Sequence, residues 1–156
     1  MNHDDGGPEM DFTAMLPMID RAFRENVPHN AALGVQVVKA ARGRVTSKVP
    51  WAPHLVGNPE SEALHGGVIT TLLDAAGGAA VFLWFREIPS IATLDLRVDH
   101  LRPTPARHDL FASAECVRVS RNVAFVRGVA WCEDESNPVA AMTATYMLGT
   151  RGRPVV

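Results

Sequence analysis

Between Glu62 and Arg86 the only residue charged at pH 7, with His neutral, is Asp74. Apart from His65, the rest of Leu64 to Phe85 is Ala, Leu, Val, Ile, Phe and Trp, broken by Gly and Thr. Apolar residues fall on every face of a 3.6-residue period: Val68, Leu72 and Ala76 on one, Ile69, Leu73 and Ala80 on others. Such a pattern predicts a buried helix, ending near Arg86, with a carboxylate at its middle. Unpaired buried charge is costly, so Asp74 needs a reason. Before this stretch, Met15, Ile19, Ala22 and Phe23 predict an amphipathic helix over 12–26, with Thr13 as its cap, Pro17 in its first turn and Pro28 ending it.

Strand patterns fill the remainder. Leu33 to Lys39 is β-branched, Gly43 marks a turn, and Arg44 to Val49 puts Val45, Ser47 and Val49 on one face. Pro50 to Glu62, with three prolines, Gly57 and Asn58, predicts a loop. Ile91 to Leu101 alternates, with Ala92, Leu94, Leu96 and Val98 on one face and Thr93, Asp95, Arg97 and Asp99 on the other. Strands are predicted over 109–119, over 122–132 with Val123, Phe125, Val129 and Trp131 sharing a face, and over 139–148. The late links are too short for parallel crossovers, so these strands pair antiparallel. The sum is an α+β domain: five or six antiparallel strands wrapped around one long central helix. A single domain over 12–150 is expected, with tails at 1–11 and 151–156. Gly77 and Gly78 are unfavourable inside a helix and imply close approach to the sheet or to a partner subunit.

Composition narrows the function. A chain of 156 residues with a net charge of −2 and no basic stripe is not expected to bind nucleic acid. Cys116 and Cys132 lack metal-ligand spacing and are expected as reduced core residues of a cytoplasmic protein. The N-terminus has no secretory pattern. Asp74, four glycines and two threonines argue against 66–85 as a membrane span. His54, His100 and His108 show no triad or metal spacing, and no phosphate-loop, nucleophile-elbow or dinucleotide fingerprint is present.

The chemistry gathers at the start of the central helix. His65-Gly66-Gly67 opens it, where unpaired N–H groups and the positive dipole end point outward. Glycines let a substrate carbonyl approach that backbone, which is what an oxyanion hole requires; a glycine turn that merely starts a helix is the plainer alternative. Asp74 reads as a nucleophile or general base, or else as a buried structural carboxylate. It lies eight residues from Gly66, roughly 12 Å along a helix, too far for both to touch one carbonyl. A two-fold dimer, in which Gly66 of one chain faces Asp74 of the other, removes that difficulty.

Asn58, the His65-Gly66-Gly67 turn and Asp74 nine residues after the histidine resemble the signature of the hotdog-fold acyl-CoA thioesterases, nearest the branch related to the phenylacetate-pathway thioesterase. Thr93-Leu94-Asp95-Leu96-Arg97-Val98-Asp99-His100-Leu101-Arg102-Pro103 and Ser120-Arg121-Asn122-Val123-Ala124-Phe125-Val126 resemble later strands of that family. The resemblance runs from Leu33 to Gly149. Asn58 stands seven residues before His65, one further than the family pattern puts it. The resemblance implies a hotdog fold, hydrolysis of an acyl-CoA to a carboxylic acid and coenzyme A, no metal or redox cofactor, and a site shared across a homodimer, with a dimer of dimers left open.

It also implies roles. Thr93 occupies a position where the family has a Ser or Thr that positions water or the carboxylate. His65 orients the loop or acts as an acid, and Asn58 holds a water or His65. Gly67 lies beside the substrate. Arg121 and Asn122 are candidates for the coenzyme A phosphates, with Arg102 a weaker one. Phe82, Trp84 and Phe85 line a pocket or belong to the core. Two rivals are a non-catalytic acyl-CoA-binding hotdog module, which needs no carboxylate beside the thioester, and a hotdog hydratase or dehydratase, which needs a catalytic histidine with an acid across the dimer.

Overall fold

The computed structural model describes residues 12–85 and 90–149; both expected tails lie outside them. Helix α1 (Phe12–Glu25) ends before Pro28, as its pattern predicts, but Thr13 is a helical residue rather than a cap and Pro17 lies beyond the first turn. Pro28 then opens a second, short helix, α2 (Pro28–Leu33), which closes on Gly34 at φ +70°. Proline at a helix start and glycine just past its end are favoured, so Leu33 is helical and the predicted strand begins later, at Gln36. Buried Asn30 donates through Nδ2 to the Phe23 carbonyl (3.2 Å) and ties α2 to α1. Asp20 accepts from the Val37 N–H (2.8 Å) and ties α1 to the sheet.

Strands β1 (Gln36–Ala41) and β2 (Arg44–Val49) are followed by a small ladder of β3 (Val56–Asn58), inside the segment predicted as loop, with β4 (Ala63–Leu64), just after it. Helix α3 (Gly66–Phe82) precedes β5 (Ile91–His100), β6 (Leu110–Val119), β7 (Val123–Trp131) and β8 (Ala140–Leu148). The main sheet has six strands in the order β1-β2-β6-β7-β8-β5, every pair antiparallel. Its inner face packs on α3 through Val45 and Val49, Leu110 and Ala112, Ala124 and Val126, Met142 and Tyr146, all buried.

The apolar set Val123, Phe125, Val129 and Trp131 does share a face of β7, but it is the outer one: Phe125 is 40 % exposed, and Trp131 stacks on Phe111 with centroids 5.9 Å apart. Small residues take the inner face because strand and helix lie close. Gly77 and Gly78 show the same closeness from the helix side. A Cβ at Gly77 would collide with the Tyr146 phenol, and one at Gly78 would touch Ile91. The chain's own sheet therefore accounts for both glycines.

The central helix is not buried all round. Val68, Ile69, Leu72, Leu73, Ala76 and the 77–81 run are buried, whereas Thr70, Thr71, Asp74, Ala75 and Phe82 form a half-open stripe. Helix α3 ends at Phe82, short of the expected Arg86, and Trp84 turns back against Gly43. Both cysteines are free and buried, and burial pushes each thiol up to about 11.

Candidate active site

The approach to α3 is held from several sides. The Leu64 N–H donates to the buried Thr104 hydroxyl (2.8 Å), and the His65 N–H donates to the Leu55 carbonyl (2.9 Å). Gly57 lies so close that a Cβ there would meet the His65 backbone at 2.7 Å. Glu62 and Arg107, each with positive φ, form a two-bond ion pair at 2.7 and 2.9 Å that joins this segment to the 102–109 loop. The turn is thus over-determined, the condition for a backbone donor to be preorganised.

His65 is the N-cap of α3. Its Nδ1 accepts from the Gly67 N–H at 3.0 Å, so Gly67 has its donor occupied. A Cβ at Gly67 would meet that Nδ1 at 2.9 Å, which explains the glycine without a ligand. The Gly66 N–H, by contrast, has no acceptor among the described residues. It is the free donor at the helix start. The His100 ring, which shows no triad or metal spacing in the sequence, lies against it: a Cβ at Gly66 would sit 3.5 Å from His100 Cε1.

Two turns along, Asp74 occupies the half-open stripe. Thr93 Oγ1 donates to Asp74 Oδ1 at 3.0 Å. The Tyr146 hydroxyl lies 2.9 Å from the Asp74 carbonyl oxygen and 3.2 Å from Oδ1. Asp74 Oδ2 has no protein donor among the described residues. Thr93 was expected on the polar face of its strand. A bulge between Thr93 and Asp95 changes that: Thr93 pairs with Tyr146 and Asp95 with Thr145, so Leu94 is extra. The bulge shifts the alternation by one, which leaves Leu94 50 % exposed and turns Thr93 toward the helix. Tyr146 is the neighbour that sequence reasoning missed. Burial first, and then the charge of Asp74, push its phenol well above its ordinary range, so it stays a protonated donor.

A cleft of about 320 Å³ opens beside the carboxylate, with Phe23, Val27, Phe82, Ile91 and Thr93 among its walls. Of the three aromatics singled out at the helix end, Phe82 lines this cleft, whereas Trp84 and Phe85 pack on the core.

The remaining candidates lie apart from Asp74. Asn58 accepts from the Glu60 N–H (3.0 Å) within its own exposed turn. Arg102 donates to the Asn137 carbonyl. Arg121 and Asn122 form the exposed β6–β7 turn, and Asn122 accepts from the Leu148 N–H (2.8 Å). That turn is at the end of the sheet that carries Tyr146 and Thr93. Among the described residues no group of three His, Cys, Asp or Glu side chains is placed to hold a metal, and no helix is long and apolar enough to cross a membrane.

Comparison with known proteins agrees with this architecture. The profile of the thioesterase superfamily matches residues 62–139. The medium/long-chain acyl-CoA thioesterase YigI of Escherichia coli K12 is 33 % identical over 148 residues, which covers 86 % of this chain and 94 % of that one. A crystal structure from Shewanella oneidensis, described as related to the thioesterase superfamily, superposes with a TM-score of 0.76 at 27 % identity, covering 91 % of this chain and 100 % of that one. The E. coli PaaI protein from the phenylacetic acid degradation operon shares the fold, with a TM-score of 0.76 at 18 % identity and coverage of 90 % and 97 %. A six-stranded antiparallel sheet around one helix, the glycine turn that opens that helix and these relatives together place the chain in the thioesterase superfamily, as a hotdog-fold thioesterase.

Proposed function

We propose that the protein hydrolyses acyl-CoA thioesters in a dimer, with Asp74 of one chain and Gly66 of the other at each site. The observation that carries this reading is the half-open Asp74: its Oδ1 is held by Thr93, and Oδ2 is left free beside an apolar cleft. The free Gly66 N–H of the partner receives the thioester oxygen, and the helix dipole favours the charge that develops there. Asp74 either takes a proton from water as it attacks the carbonyl carbon or attacks that carbon itself to give a mixed anhydride that water then opens. Both routes expel the thiolate of coenzyme A and yield the carboxylic acid. Coenzyme A enters as part of the substrate, and the scheme calls on no metal or redox cofactor. Arg121 and Asn122 are assigned to its phosphates on the exposed rim, and Phe23, Val27, Phe82 and Ile91 to the acyl group. The similarity to a medium/long-chain acyl-CoA thioesterase supports an aliphatic acyl chain.

The dimer rests on three features. Roughly 12 Å of helix separates Gly66 from Asp74 in one chain. Among the described residues, the stripe of α3 that carries Asp74 is only partly covered. Strand β5, ten residues long, is an edge of the sheet formed by the described residues, beside that stripe, and a long edge strand invites pairing. Antiparallel pairing of β5 with its two-fold copy sets the two α3 helices side by side in opposite directions and covers both stripes. A non-catalytic binding module does not need the Thr93–Asp74 arrangement. A hydratase needs a catalytic histidine, and the Nδ1 of His65 is engaged in the helix cap.

The experiment is thiol release from a panel of short, long and aryl acyl-CoAs by the wild type and Asp74→Asn. The expected result is turnover by the wild type and a loss of about 100-fold or more in the variant, the scale of removing a general base. Equal turnover by a folded Asp74→Asn protein would overturn the assignment.

A further inference from the structure

We infer that Tyr146 is a positioning residue: with Thr93 it holds Asp74 Oδ1, so that Oδ2 is the oxygen presented to water or thioester. This rests on the proposal that Asp74 is the reacting carboxylate.

The geometry is specific. The bulge at Leu94 sets Thr93 directly opposite Tyr146 on β8, and both hydroxyls converge on the same oxygen, at 3.0 and 3.2 Å. A lone threonine would leave the carboxylate free to rotate and exchange its two oxygens. The single phenol proton is shared between Oδ1 and the Asp74 carbonyl oxygen at 2.9 Å, and this second acceptor fixes the phenol oxygen relative to the helix. Tyr146 is 1 % exposed and is held on the inner face of the sheet. The helix makes room for it: Gly77 stands where any Cβ would overlap the phenol oxygen. An interior glycine is unfavourable in a helix, so the sequence accepts that cost at the position where the phenol enters. A buried tyrosine hydroxyl needs a partner, and its partner here is the residue proposed to react.

Tyr146 is the only tyrosine in the chain, which makes the test clean. Tyr146→Phe removes one oxygen from a buried ring. Hydrogen bonds to charged groups account for roughly 10- to 100-fold effects, so kcat is expected to fall by about that factor while KM and the unfolding temperature stay near wild type. A merely structural role would lower stability without dividing kcat from KM in this way. Growth on 3-fluorotyrosine labels position 146 alone. The single fluorine resonance is expected to move in Asp74→Asn, which alters the group the phenol touches. This second readout decides the matter if the Phe variant does not fold. A folded Tyr146→Phe protein with wild-type kcat, or a fluorine line that Asp74→Asn leaves in place, would overturn the inference. Retained hydrolysis by Asp74→Ala would instead overturn the assignment of Asp74, so the two failures are distinct.

Discussion

Thr93 reaches Asp74 across a strand irregularity: its hydroxyl donates to Oδ1 at 3.0 Å because Leu94 is bulged out of the ladder with β8. In an unbroken strand Thr93 would face outward with Asp95. The site therefore depends on a backbone feature as much as on a side chain.

Thr93→Val keeps the shape and removes the donor. Its kcat is expected to fall about tenfold or more, the worth of one hydrogen bond to a carboxylate, with little change in KM. Steady-state kinetics on the best acyl-CoA of the panel checks this. Thr93→Ser should retain most of the activity.

Gly77→Ala gives a second test, of packing. Alanine is better than glycine in a helix by about 1 kcal/mol. Here the added methyl would meet the Tyr146 ring, and forcing an extra carbon into a packed core costs about 1–3 kcal/mol. Net destabilisation, measured by urea unfolding, is expected together with a loss of kcat as the phenol is displaced. A more stable, fully active variant would contradict the close contact.

Thr104→Val addresses the turn before α3. The Leu64 N–H would lose its only acceptor among the described residues while buried, at a cost of about 1–3 kcal/mol. Thermal unfolding should show the loss, and Thr104→Ser should restore it. Because Leu64 directly precedes His65 and Gly66, activity should fall beyond what the stability change explains.

Much of this arrangement was legible in the sequence, and the misses have definite causes. The long apolar run with one carboxylate announced the central helix, and alternation in Arg44 to Val49 announced a half-buried strand correctly oriented. Alternation failed over 91–96 because a bulge leaves no mark in a hydrophobic pattern. The shared face of Val123, Phe125, Val129 and Trp131 on β7 was legible, but not which side of the sheet it takes: these large residues lie outside, since the helix approaches too closely for them. The α2 helix was hidden because Pro28 reads as a stop and serves here as a start. Tyr146 was invisible as a site residue, being one apolar-face residue on a distant strand until the sheet brings it to Asp74.

Subunit complementation tests the central claim, a site built from Asp74 of one chain and Gly66 of the other. Asp74→Ala lacks the carboxylate, and Gly66→Val blocks the approach to the free N–H while its first added carbon makes only ordinary contact with His100. Each homodimer is expected to be nearly inactive. A heterodimer of the two, purified with distinct tags, contains one site with both residues intact and should recover about half of the wild-type thiol release, because the sites of a two-fold dimer are equivalent. A folded heterodimer as inactive as its parents would contradict a shared site.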